Sequence, residues 1–314
     1  MEEHKANDPQ DVPPQSQEVE LQENNVHSES PTPSSQPPEL PRLPYDLREH
    51  KRSIIIYWTA IFAESFLLPI SLYYGLSNGT DMRAGAYFAI ITAVFGFVTG
   101  FEYALRGWRL VIKDDKYRPL NGSKRFWGFD STFWILQGPY FVMTAVMIGV
   151  SIPDPPKTRG LAVILPIGMV MIATLMVASG IAHWRSWKLP FRMSSHVKGS
   201  TCPPLTFCIL EDIVACDGRG GKAFREAVMA RYHASPRYRT MLVQLNWAWA
   251  LSAYAVAGAT FAIVMTIPPE IAYGLGWGIP TLWAFIAAGL TTIWVKRSVR
   301  IERELWDSGK EATA

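Results

Sequence analysis

The chain has 314 residues, of which 18% are charged, with a formal charge of +3 and a mean hydropathy of +0.08. That length admits one large domain or two small ones, and a charge so close to balance gives no support to a nucleic-acid partner. The averages conceal a strong segregation: residues 1–44 hold nine Pro, nine acidic residues, only Lys5 and Arg42 as cations, and no aromatic residue.

Such a stretch cannot bury enough apolar surface to offset its ordering entropy, so 1–44 is expected to be a disordered, acidic, Pro-rich tail. All twelve Trp lie beyond it. The first apolar run begins only near Ser53, so a cleavable leader is not expected and that run would serve as a signal-anchor.

Six runs approach the roughly 20 apolar residues needed to cross a bilayer. They are 53–75, 85–105 (continuing into Trp108), 132–152, 160–182, 245–267 and 271–295. Backbone polar groups in lipid must be satisfied internally, so the runs are helices. The expected fold is therefore all-α, a polytopic transmembrane bundle of six spans. With the N-terminus inside, 27 of the 30 Lys and Arg fall on the cytoplasmic side, and only Arg83, Lys157 and Arg159 fall outside. This pattern predicts three hairpins with both termini cytoplasmic. The organisation is a tail (1–44), spans one to four (45–183), a cytoplasmic amphipathic connector (184–244), spans five and six (245–295) and a C-terminal tail (296–314).

A few polar residues interrupt the spans. Glu64 sits near the middle of span one, where an isolated charge costs about 2.5–3.5 kcal/mol on insertion scales. It is a candidate catalytic acid, proton carrier or ligand; the structural alternative is a carboxyl hydrogen-bonded to a neighbouring helix. Pro69 frees a carbonyl near Ser65. Glu102 is a second candidate acid, although Arg106 one turn later predicts an internal ion pair, with the arginine reaching for the interface. Gln244 and Asn246 suit helix-to-helix hydrogen bonds; His183, at the cytoplasmic end of span four, is a candidate proton switch, with a structural role as the alternative. Gly96/Gly100, Ala255/Ala259 and Gly274/Gly278 have the spacing of close helix packing, within the bundle or between copies in a homo-oligomer.

In the connector, Lys222 to Ala234 reads as a helix with Phe224, Val228 and Tyr232 on its apolar face, and Arg225, Glu226 and Arg231 elsewhere. Two amphipathic helices are expected, on the membrane or under the bundle. Gly221-Lys222 lacks the earlier Gly and the following Ser/Thr of a phosphate loop, and Asp217-Gly218 lacks the acidic ligands of a calcium loop. Asp114-Asp115 lacks the second acid of a diphosphate-metal motif. Cys202, Cys208 and Cys216 match no standard zinc spacing; acylation of one of them is an alternative. No metal is expected, and no cofactor is legible. Asn78-Gly-Thr80 is a glycosylation sequon on the predicted outside, close to the membrane. Asn121-Gly-Ser123 falls inside and should stay bare.

Several local patterns carry a resemblance: Tyr45-Asp-Leu-Arg-Glu-His-Lys-Arg52, Pro190-Phe-Arg192 with Lys198-Gly-Ser200, and above all Leu210-Glu211-Asp212-Ile-Val-Ala-Cys-Asp217-Gly218, Phe224-Arg225, Arg231-Tyr232 and Ala234-Ser235-Pro236. Over about 44–300 the chain resembles an uncharacterised family of fungal multi-pass membrane proteins. The resemblance implies a fungal origin and the six-span layout, and carries over no activity and no catalytic residue. Cys216 stands where a small aliphatic residue is expected. Glu211, Asp212 and Arg225 are candidates for a cytoplasmic interaction.

Three functions fit these residues. One is a membrane-embedded enzyme of lipid or secondary metabolism, resembling small terpene cyclases in architecture, with Glu64 and Glu102 as acids toward a hydrophobic small molecule. Another is a small-solute transporter with Glu64 near the midplane. The third is a non-catalytic scaffold working through the tail and the connector. The setting is the lipid bilayer of the plasma membrane or an endomembrane.

Overall fold

The structure is a computed structural model that describes residues 39–44, 51–122 and 128–308. The expected tail up to residue 38, most of the 45–52 motif and Ser123 of the second sequon lie outside the described residues.

Span one is built from α1 (Lys51–Phe62), a π-turn (Ala63–Leu67) and α2 (Leu68–Gly79). Span two is α3 (Ala84–Ile112), followed by the short α4 (Asp114–Tyr117). Span three is α5 (Ser131–Ser151). The short α6 (Thr158–Ala162) precedes span four, α7 (Ile164–Trp184). The connector contains α8 (Leu205–Asp212), a second π-turn (Ile213–Asp217) and α9 (Gly221–Ala234). Spans five and six are α10 (Pro236–Thr266) and α11 (Pro269–Asp307). Six helices are long and apolar enough to cross a membrane.

Several edges differ from the sequence reading. Span four starts at Ile164, because Val163 leaves the helical region at φ −97° and ψ 6°. Ser235-Pro236 does cap the helix that leads into span five, Ser235 accepting from Tyr238 N, and that helix continues without a break into the apolar segment. Span six has 39 residues. At 1.5 Å per residue it is about 58 Å long, well beyond the roughly 30 Å hydrocarbon layer, so its charged end extends past the hydrocarbon.

Successive spans pack side by side, α2 on α3, α3 on α5, α5 on α7, α7 on α10 and α10 on α11. The ring closes where α11 meets α2 and the first π-turn. Span four is the most buried, with 39% of its apolar window inside the protein, whereas span one has 6%, so span one turns most of its surface to lipid. An aromatic core of Tyr73, Phe88, Phe95, Tyr273 and Trp277 holds the end opposite the connector. A second core joins Met176 of α7, Phe207 and Cys208 of α8, Val228 of α9, and Leu242 and Leu245 of α10. The connector is thus packed beneath the bundle as part of the same body.

The small residues divide differently from their spacing. Gly96 and Gly100 admit the Tyr140 phenol, which donates to Gly96 O at 2.8 Å, and Gly274 and Gly278 admit Tyr74 and Phe66. Ala255 and Ala259 face outward instead; the packing face of α10 is Ala253, Ala257 and Thr260. The closest backbone approach is at Gly276, where any side chain would collide with the Ala162 backbone.

Candidate functional site

Pro69 lacks the N–H that would bond Ser65 O, so the helix cannot continue regularly through this point. The chain widens into the π-turn, with Leu68 N bonding Ala63 O, and Glu64 lies inside it. Such turns gather at functional positions. Thr281 of α11 brings its hydroxyl to 3.3 Å from Ser65 O while also donating to Trp277 O at 2.8 Å. The half-buried Glu64 accepts from the Thr99 hydroxyl at Oε1, and among the described residues nothing else hydrogen-bonds or ion-pairs with it.

Glu102 lies three residues beyond Thr99, on the same face of α3. It stands within electrostatic reach of both Glu64 and Asp217. Tyr57 and Tyr103 share this neighbourhood, and Tyr103 packs on Tyr140 at 5.3 Å between ring centres. α1 is held to α11 by Trp58 and Phe62 around Phe285. Two carboxyls and two tyrosines therefore lie within electrostatic reach of one another on the side of the ring formed by span one, the least buried of the spans. A carboxyl with one oxygen steadied by Thr99 and the other uncommitted can give a proton to a molecule beside it, or take one.

The expected Glu102–Arg106 pair is absent, and Arg106 does not reach for the interface. It is buried, donating to Asp130 Oδ2 at 2.8 Å and to Asp217 Oδ2. The buried Asp130 and the partly buried Asp217, brought by other elements, outcompete one helical neighbour. Glu102 is left without a cation among the described residues.

The second cluster sits where the connector meets spans two and three. Arg225 is fully buried and donates from Nη1 to Glu211 Oε1 at 2.7 Å and to Asp212 Oδ1 at 2.6 Å, and from Nη2 to Tyr117 O at 3.1 Å. Asp212 Oδ2 accepts from Thr132 N, the Thr132 hydroxyl and the Ser194 hydroxyl. Asp130 caps α5 by accepting from Phe133 N at 2.8 Å. Two carboxylates thus face the N-terminal end of span three, where free N–H groups and the helix dipole favour negative charge. Ser194 holds a left-handed φ of 49° in the tight turn between Met193 and His196, and its bond to Asp212 offsets the strain. Glu211, Asp212 and Arg225 come together with no exposed surface, and their partners are one another and the bundle.

Burial, reinforced by the Asp212 charge and opposed by Arg225, pushes Glu211 up to about 7. Burial and Asp212 likewise raise Asp130, against Arg106 and Arg225. Burial, with His233 adding to it, lowers His196 to about 4. Burial raises the Cys216 thiol to about 12, so it is no thiolate nucleophile at neutral pH.

A third contact was not visible in the sequence. Arg231, expected on the polar face of α9, is buried against Glu302 of α11, with Nη2 2.6 Å from Oε2. The end of span six is thereby clamped to the connector. Asn246 does bridge helices, donating to Met176 O at 2.8 Å and accepting from Thr206, whereas Gln244 is exposed. The His183 ring meets Cys202 O at 2.8 Å. Asn78 is exposed at the end of α2. Asn121 spends its amide on Ser195 O at 2.8 Å. All three cysteines are buried and free, and among the described residues no group of three His, Cys, Asp or Glu converges as metal ligands.

Residues 28–306 match a family described as a domain of unknown function, DUF8766. The chain belongs to this family. The DUF8766 region takes in all six spans and the connector. No curated protein and no solved structure matches the chain.

Proposed function

We propose that this DUF8766 protein is a membrane-embedded enzyme acting on a hydrophobic small molecule, with Glu64 as its acid. The observation that carries the reading is the π-turn that holds Glu64 against Thr99 while leaving its second oxygen uncommitted. A carboxyl that only joined two helices would be expected to spend both oxygens on them. The proton goes from Glu64 to a basic or electron-rich centre on the substrate, and the Thr99 hydroxyl stabilises the carboxylate left behind. Glu102, between Glu64 and the connector, is placed to return the proton. Tyr57 and Tyr103 supply aromatic surface beside a developing positive charge. A substrate dissolved in the bilayer reaches this side of the ring laterally.

The reading includes an orientation, with both termini and the connector cytoplasmic, supported by the distribution of 27 of the 30 Lys and Arg. It includes a fungal origin, as the family resemblance implies. The test is complementation of a deletion strain with metabolite profiling. Glu64→Gln is expected to leave protein abundance unchanged, abolish function and let one hydrophobic metabolite accumulate. Full rescue by Glu64→Gln refutes the assignment, and a blocked solute flux with no accumulating precursor redirects it to transport.

A further inference from the structure

A cavity of about 900 Å³ opens between residues 39–43 and the end of α11. Its floor is apolar, formed by Leu40 and Leu43 on one side and by Val295 and Val299 on the other. Its rim carries both signs: Arg42, Lys296, Arg300 and Arg303 stand with Glu39, Glu304 and Asp307. Lys296, Arg300 and Arg303 fall at i, i+4 and i+7 along α11, so they form one stripe, and all three are exposed. Lys296 and Arg303 have no ion pair among the described residues, and Arg300 has only a loose one with Glu304 at 3.9 Å. Arg42 adds a fourth cation across the opening, paired with Glu39 at 2.5 Å. Arg231, deeper in, is already committed to Glu302.

The depth of this cavity is set independently. Trp294, partly exposed, immediately precedes the stripe and ends the apolar part of span six. Tryptophan at such a position marks the headgroup level of a bilayer. An apolar floor joined at headgroup depth to the stripe of Lys296, Arg300 and Arg303 matches a phospholipid with a negatively charged headgroup. Its glycerol and first methylenes would lie on the Val and Leu side chains, and its phosphates on the α11 stripe. A soluble phosphate has no use for the floor, and a zwitterionic lipid gains less than an anionic one from Lys296 and Arg303, the two lining cations outside any ion pair among the described residues.

We infer that this cavity binds the headgroup of an anionic phospholipid, such as a phosphoinositide, from the leaflet on the connector side. The inference does not depend on the Glu64 chemistry; the proposed orientation only decides that the leaflet is the cytoplasmic one. The bound lipid would tie residues 39–43 to span six.

The test is native mass spectrometry of the full chain in detergent, offered phosphatidylinositol phosphate and phosphatidylcholine together, and in parallel soluble inositol trisphosphate. The wild type should retain one phosphatidylinositol phosphate in preference to phosphatidylcholine. The triple variant Lys296→Gln/Arg300→Gln/Arg303→Gln should lose that preference by about tenfold or more. Arg297→Gln, which removes a neighbouring charge outside the cavity, should leave it unchanged. Equal retention of both lipids by the wild type overturns the inference whatever the variants do. So does binding of inositol trisphosphate at the expense of the intact lipid, or a loss in Arg297→Gln equal to that in the triple variant.

Discussion

The Thr281 hydroxyl stands 3.3 Å from the carbonyl of Ser65, the acceptor that Pro69 cannot serve. Two spans distant in sequence thus meet at the irregular turn that presents Glu64. Removing the hydroxyl in Thr281→Val should destabilise the protein by about 1 kcal/mol. Pro69→Ala should do the reverse, restoring a regular helix, raising stability and turning Glu64 away from Thr99. Thermal unfolding read beside complementation separates the two effects: Pro69→Ala should be more stable and less active.

Arg225 is the centre of the connector lattice, with three carboxylates within 4 Å. Breaking a buried charge cluster by deleting one partner costs about 3–5 kcal/mol. Arg225→Met should therefore unfold the connector or leave the protein unrecoverable, while Glu226→Gln on the exposed face of the same helix should stay near wild type. Limited proteolysis between α9 and α10 reads the difference.

The lattice also gives a pH dependence. Glu211 is raised from 4.5 to about 7, so the folded chain holds this proton more tightly than the unfolded one. Its contribution is present at low pH and is lost as pH rises through about 7. Asp130 acts in the same sense at lower pH, and His196, lowered from 6.5 to about 4, acts in the opposite sense below its ordinary value. Above pH 6.5 the ordinary His196 value has been passed and the loss from Glu211 is no longer opposed by it. Stability should fall by about 1 kcal/mol between pH 6 and 8. Glu211→Gln keeps an acceptor for Arg225 and Ser195 and should flatten that slope. An unchanged slope in the variant would assign the pH dependence elsewhere.

The buried pair Arg231–Glu302 clamps the long end of span six. Arg231→Gln and Glu302→Gln should each cost about 3–5 kcal/mol, and the double variant much less than their sum. Hydrogen exchange should rise in residues 297–307 while the apolar part of span six stays protected.

Orientation can be checked by cysteine labelling. The three native cysteines are buried and free, so background labelling by a membrane-impermeant maleimide should be low in intact cells. Asp81→Cys, in the exposed turn between spans one and two, should react from outside, and Ser308→Cys should react only after permeabilisation. The opposite pattern reverses the topology.

Much of the architecture was legible because a span needs only a long apolar run, and six such runs announce themselves. Asn246 was legible for the same reason, as a polar group in an apolar helix needs a partner. The charge lattice was not. Arg225 and Arg231 sit at positions that periodicity assigns to solvent, and their burial depends on Glu211, Asp212 and Glu302 arriving from other elements. Arg106 misled in the same way: the nearest acid in sequence, Glu102, is not the nearest in space. The spacing at Ala255 and Ala259 was genuine but faced outward, since small residues line both sides of α10. Pro69 did announce a break at span one, although the π-turn and its Thr281 contact required the closed ring.

The most direct test of the Glu64 reading is labelling with dicyclohexylcarbodiimide, a hydrophobic reagent that modifies protonated carboxyls reachable from lipid, followed by peptide mass spectrometry. The reading predicts that Glu64 is modified, that modification abolishes function, and that Pro69→Ala suppresses the reaction. A Glu64 that stays unmodified in the native membrane while the protein remains active would contradict it.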